Sequence, residues 1–403
     1  MVKWLVIVIR DGSELSKKGK FIIEHLKSVL NVEFLYVFRK RGFITRSLRE
    51  KRHNNLNLHP TSISFLMFLF LMFLNPRGLH DEIIRRFLSK NFPFAVKGGY
   101  LYSISQSLRN YFCKSTQTNG LYRVLNEIDM PKIFLLDEYP SLKVVKLKKL
   151  KRYGALFYTS QDVGYDFFRN DRIASTIMYK LELSALPFID LVVACSERDR
   201  LKYLEMGAKK AVYFPNCYTL KEFKPHEKDS IPGISIVLKG YWESTAKFEE
   251  IVSSLCYAKK KITLYVIGVK PKRVPKNIKL IYYNHIPSRR KFLETLSRSW
   301  IGINIGIHLG GANQRKYDYA LAGLVVLSDT HGVRGDLLPY EYVYVDSQDF
   351  AANVVELLDL GTKRIFEMGI ENRKHVLYSV QKQKKELSRS LKEVISSPQI
   401  KRD

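Results

Sequence analysis

Short apolar runs separated by amphipathic stretches recur along most of the chain, and this alternation restricts the possible folds more than any other feature. Candidate strands lie at 3–9 (KWLVIVI), 32–38 (VEFLYVF), 132–137 (KIFLLD), 154–160 (GALFYTS), 190–196 (DLVVACS) and 211–216 (AVYFPN). Each is rich in Val, Ile, Leu, Phe or Tyr and bounded by turn-forming or charged residues, as strands are. Helical patterns such as SKKGKFIIEHLKSVL and ERDRLKYLEMG lie between them, the second closed by Gly207 just past the helix end, where glycine is favoured. Strands apolar on both faces that alternate with helices predict a parallel sheet covered on both sides.

A polar, proline-containing stretch at 221–233 (KEFKPHEKDSIPG) interrupts the pattern and reads as an interdomain linker. The alternation then restarts with ISIVLKG (234–240), a helix from about 245, ITLYVIG (262–268), IKLIYY (278–283) and a helix from Ser288. IGINIGI (301–307), a helix through 313–323 and LVVLSD (324–329) follow, then Lys-rich helical sequence from about 363 to 396. The expected fold class is α/β, with two Rossmann-like, doubly wound parallel-sheet domains facing across a cleft. Their expected bounds are 1–217 and 218–375, with a C-terminal helix, 376–403, packing back toward the first domain. Open parallel sheets take ligands at the carboxyl ends of their strands, and helix N-termini favour anions. The pattern alone therefore predicts a nucleotide-related protein.

Charge agrees with an anionic ligand. With 67 Lys and Arg against 39 Asp and Glu, the net charge of +28 attracts phosphate in nucleic acid, nucleotides or lipid headgroups. No helix-turn-helix, zinc or RNA-stacking motif supports nucleic acid as the partner. Cys113, Cys195, Cys217 and Cys256 show no CxxC spacing, which fits a reducing compartment. The opening MVKWLVIVIRDGSE reads as a first strand and not as a signal peptide. The run TSISFLMFLFLMFL at 61–74 falls short of the ~18–20 apolar residues of a membrane span. Basic segments flank it, so 62–74 is expected to dock on an anionic membrane surface, with a fully packed core helix as the alternative. The expected location is cytoplasmic, peripheral on the inner face of the cell membrane.

Three motifs carry a family resemblance. In DLVVACSERDRLKYLEMGAKKAVYFPNCYTLKEFKP (190–225), Ser196, Pro215, Asn216, Leu220, Phe223 and Pro225 stand in an order and spacing that resembles the domain junction of retaining glycosyltransferases of family 4, which have the GT-B fold. GGANQRKYDYALAGLVVLSDTHGVRGDLL (310–338) is similar to that family's donor-binding segment, through Arg315, Asp318, Tyr319, Gly323, Gly332 and Asp336. VLKGYWESTAKFEEIV (237–252) is a weaker match, with Gly240 and Lys247 as the family's glycine and lysine.

The resemblance implies transfer of a sugar from a nucleoside-diphosphate sugar to a lipid-linked or glycan acceptor, with retention and without a cofactor or essential metal. The chain has no Asp-x-Asp spacing of the kind that holds a divalent metal on a diphosphate. Breaking the sugar–phosphate bond leaves negative charge on the diphosphate, so fixed cations and backbone amides must stabilise it. Arg315, Lys316 and Lys247 are the candidate cations, and Arg suits bidentate phosphate contact. Gly12, Gly240, Gly310, Gly311 and Asn313 belong to loops expected to approach the donor closely. The resemblance assigns ribose binding to Asp318 and places Asp336 at the acid that ends the donor segment's glycine turn. Gln161 stands where the family often has a His near the reacting sugar, and Asp162 beside it is a candidate contact to acceptor or sugar, weighed against a loop turn. Gly310 replaces a Glu, and Tyr241 an Arg. These departures support a second reading, a non-catalytic GT-B-like scaffold. His308 and His331 are expected to be structural, and Glu182 and Asp190 to be helix caps.

Overall fold

The computed structural model describes residues 3–11, 17–39, 55–58, 119–137, 141–142, 146–160, 163, 172–215, 223–226, 228, 231–238, 242–306, 314–330 and 338–396. Contacts divide the chain into two units. One is Met1–Ala194, Asp199–Tyr213 and Glu386–Asp403, the other Cys195–Arg198 and Phe214–Lys385.

The first unit is built on a seven-stranded sheet. Its strands are β1 (Lys3–Asp11), β2 (Asn31–Arg39), β3 (Asn55–Leu58), β4 (Lys132–Asp137), β5 (Gly154–Thr159), β6 (Leu191–Ala194) and β7 (Ala211–Tyr213). They run in the order β3-β2-β1-β4-β5-β6-β7, and every neighbouring pair is parallel. Val6, Ile7, Val8 and Ile9 are all fully buried, which explains why β1 reads as an unbroken apolar run: both of its faces are covered. Helices Lys17–Val29, Asn119–Glu127, Arg172–Ala185 and Glu197–Glu205 are among the connections. Gly207 has φ +92° after the last of these, the left-handed conformation that ends a helix at low cost in glycine.

Neither Glu182 nor Asp190 is a cap, contrary to the sequence-based expectation. Glu182 is 1% exposed on its helix and accepts hydrogen bonds from the Tyr158 and Tyr203 hydroxyls at 3.2 and 2.8 Å. Asp190 accepts from the Leu156 amide at 2.9 Å and pairs with Lys151 at 2.5 Å, tying β5 to the segment before β6.

The second unit repeats the design with six strands: β8 (Gly233–Leu238), β9 (Ile262–Gly268), β10 (Ile278–Tyr283), β11 (Ile301–Asn304), β12 (Val325–Asp329) and β13 (Glu341–Tyr344). The order is β10-β9-β8-β11-β12-β13, again with parallel neighbours throughout. Helices Trp242–Ser254, Arg289–Ser297, Gln314–Leu321 and Ser347–Asp359 alternate with these strands, and Gly361–Ile395 follows. Phe248, Ile251, Ile303, Val325 and Val354 meet in the core, where burying each side chain contributes roughly 1.5–3 kcal/mol.

The junction motif has a packing reason. Gly323, at φ +74°, lies so close to Pro225 that an added Cβ would sit 3.1 Å from its ring. Arg373 on the last helix donates to the carbonyls of Leu321 and Phe223, seating the Phe-x-Pro turn. Among the described residues no helix is long and apolar enough to cross a membrane. The run at 61–74 lies outside the described residues.

Candidate functional site

Sheet order reverses between β8 and β11 in the second unit, and the carboxyl edge at such a switch point is where open α/β sheets bind ligands. Arg315 sits there. It is the second residue of the helix Gln314–Leu321, and its Nη1 donates to the Val237 carbonyl of β8 at 2.9 Å. Its Nη2 donates to the Ile305 carbonyl, just past β11, at 2.6 Å. The guanidinium thus bridges the two strands that part at the switch point, and neither carbonyl cancels its charge. Burial pulls its pKa below the usual arginine value, opposed by the fields of Tyr319 and Asp329.

Tyr319, one turn further on, wedges the same two strands. Its hydroxyl accepts from the Val237 amide at 2.8 Å and donates to the Ile303 carbonyl at 2.9 Å. A Cβ on Gly302 would lie 2.3 Å from the tyrosine ring, so only glycine at this point of β11 admits the wedge. Burial drives the Tyr319 hydroxyl far above its ordinary pKa, keeping it a neutral donor.

Lys247 reaches the same edge from the helix Trp242–Ser254. Its Nζ lies 2.8 Å from Asp329 Oδ2, at the end of β12, while Asp329 Oδ1 accepts from the Gly306 amide at 2.9 Å. Lys247 also lines a cavity of about 430 Å³ with Glu250, Ile251, Tyr344, Val345, Asp346 and Ser347.

Lys316 does not join Arg315 at the edge. Its side chain is fully buried and donates to Glu341 Oε2 at 3.0 Å, within a network in which Ser328 donates to Glu341 Oε1 at 2.6 Å and Asn304 donates to Ser328 at 3.1 Å. Its charge is paired with Glu341 inside the domain. The carboxylate of Asp318 is held by Arg289 at 2.5 Å, on the edge of the helix Arg289–Ser297. Gln161, Asp162, Gly12, Gly240, Gly310, Gly311, Asn313 and Asp336 lie outside the described residues, as do His308 and His331. Among the described residues, no group of three or more His, Cys, Asp or Glu side chains could hold a metal ion.

Sequence reasoning missed Asp329, Glu341 and Arg289. Asp329 carried a readable signal, a carboxylate ending an apolar strand at the edge where ligands bind. The other two stand in stretches that look like ordinary charged surface.

The fold defines a class: two parallel α/β domains of the GT-B type. Similar solved structures include an α,α-trehalose-phosphate synthase (UDP-forming) from Burkholderia vietnamiensis, with a TM-score of 0.58, 11% identity, and coverage of 97% of this chain and 100% of that one. Sucrose-phosphate synthase from Thermosynechococcus elongatus gives 0.57 at 12% identity, covering 96% and 99%. HepE from Anabaena, solved in complex with UDP and glucose, gives 0.56 at 10% identity, covering 98% and 100%. At such identity the likeness concerns the fold. No protein-family profile matches the sequence, and no curated protein sequence is similar to it.

Proposed function

We propose that the chain is a glycosyltransferase that moves a sugar from a nucleoside-diphosphate sugar to a lipid-linked or surface-glycan acceptor. One observation carries the reading: Arg315 is fixed across the switch point of the second sheet, with Lys247 at the same edge. Cleavage of the bond between the sugar's anomeric carbon and the phosphate oxygen leaves the electron pair on the diphosphate. A preorganised guanidinium at that point stabilises the leaving group without reorganising during the reaction. In this reading Asp318 meets the ribose once Arg289 shares it, and Gln161 and Asp162 are the candidate contacts to sugar or acceptor. Gly12, Gly240, Gly310, Gly311, Asn313 and Asp336 shape the donor loops. Family 4 motifs support retention and independence of metal, and the basic flanks of 62–74 support docking at an anionic membrane.

The test is a thermal-shift panel of UDP-, GDP- and dTDP-sugars, with and without magnesium, on wild type and Arg315→Ala. At ~100 times its dissociation constant a bound donor stabilises the native state by about 2.7 kcal/mol. A shift with one nucleotide, independent of magnesium and lost in the variant, is expected. Turnover should fall ~10²- to 10³-fold in Arg315→Ala, the usual loss of an oxyanion-type donor. A second reading, a non-catalytic scaffold, is favoured by the internal partners of Lys316 and Asp318. No shift with any donor would select it.

A further inference from the structure

Asp329 is a buried carboxylate at the point where the proposed diphosphate site needs positive charge. Its side chain is 0% exposed and is pinned by the Gly306 amide, so it cannot turn away. Its partner can. The Lys247 side chain is 29% exposed, lines the adjoining cavity, and carries its ammonium on a flexible four-carbon stem. The field of Asp329 also reaches Arg315 and the buried Tyr344 hydroxyl, so the carboxylate acts on more than one cation at this edge.

We infer that Asp329 is a built-in counter-ion of the phosphate site, which Lys247 must share with an incoming nucleoside diphosphate. The inference rests on the nucleotide reading above. A neutral Lys–Asp pair attracts a polyanion less than a lone ammonium does, and a fixed carboxylate repels it. Asp329 therefore lowers affinity for the nucleoside diphosphate and speeds its release after transfer. Lys247 offsets that repulsion, so the pair together is close to neutral toward the ligand.

The experiment is isothermal titration with UDP, GDP and dTDP on wild type, Asp329→Asn, Lys247→Met and the double variant. Asn keeps an acceptor for the Gly306 amide and removes the charge. Asp329→Asn is expected to bind the preferred diphosphate on the order of tenfold more tightly, the size of one close charge. That gain should shrink as salt rises and vanish in the double variant. Lys247→Met alone, which leaves the fixed carboxylate uncompensated, should bind on the order of tenfold more weakly. Unchanged or weaker binding by Asp329→Asn, with wild type binding normally, overturns the inference and leaves the nucleotide reading standing. Should Asp329→Asn not fold, unchanged affinity in Lys247→Met overturns it alone, because a carboxylate left uncompensated at the phosphate site must weaken binding. No binding of any diphosphate by wild type overturns the nucleotide reading and this inference together.

Discussion

At the carboxyl edge of the first sheet, the buried carboxylates meet hydroxyls. Thr159 donates to Asp137 at 3.0 Å, and Tyr158 and Tyr203 donate to Glu182. In the second unit they meet cations: Lys316 for Glu341, Lys247 for Asp329 and Arg289 for Asp318. A hydroxyl satisfies a lone pair without cancelling the charge, whereas a cation cancels it. The two units share an architecture, yet among the described contacts it is in the second that cations meet the buried carboxylates, and that separates a frame from a candidate phosphate site. Fold alone did not predict the difference, because function resides in sites placed on folds.

Alkaline pH probes the hydroxyl side of this contrast and has the largest expected effect. Burial, then the charge of Glu182, pushes Tyr158 and Tyr203 well above their ordinary pKa. Burial raises Tyr319 and Tyr344 too, while Arg315 pulls both back. Above pH ~10 the unfolded tyrosines ionise and the buried ones keep their protons. The native state then binds more protons, so stability is level below pH ~10 and falls above it. Each tyrosine costs about 1.4 kcal/mol per pH unit, or roughly 5 kcal/mol over the four by pH ~11. Because Arg315 moderates the second pair, decline should continue over a wider range in the first unit. Urea unfolding at rising pH, read by Trp4 in one variant and Trp300 in another, both carrying Trp242→Phe, measures each unit. Equal stability on both sides of pH ~10 would mean that these tyrosines ionise in the native state.

The cation side is tested by Glu341→Ala. It removes the carboxylate that the fully buried Lys316 side chain pairs with at 3.0 Å, and breaking such a pair costs about 3–5 kcal/mol. Adding Lys316→Met should recover most of that loss, since an apolar pair of similar volume removes the stranded charge. Urea unfolding with Trp300 fluorescence decides it. A loss below ~1 kcal/mol would place Lys316 in the class of exposed pairs.

Much of this was legible in the chain. Apolar runs marked eleven of the thirteen described strands, because a parallel strand is covered on both faces. The exceptions are instructive. β3 is NLNL and β13 is EYVY, mixed sequences whose polar residues argue against a buried strand, and Glu341 in β13 makes sense only once Lys316 faces it. Adjacent basic residues were read together in QRKYDY, but a helix turns ~100° per residue. Arg315 therefore points to the strand ends while Lys316 points inward. The pair of Lys247 with Asp329 joins residues far apart in sequence, and only the sheet order brings them together.

The smallest effect falls at the first edge. Tyr203→Phe removes one donor to Glu182 and keeps the ring, which packs edge-on against Tyr158 with centroids 6.1 Å apart. Tyr158 remains as a donor, so the carboxylate is weakened in its bonding but not stranded. The expected loss is about 1.5–3 kcal/mol, the range for a hydrogen bond to a charged group. Affinity for nucleoside diphosphate should not change, because the proposed phosphate cations lie in the second unit. Calorimetric unfolding and a UDP titration on the same variant read both quantities. A loss beyond ~3 kcal/mol would show that Glu182 depends on Tyr203 as strongly as Glu341 is expected to depend on Lys316, and the distinction between the two units would fail there.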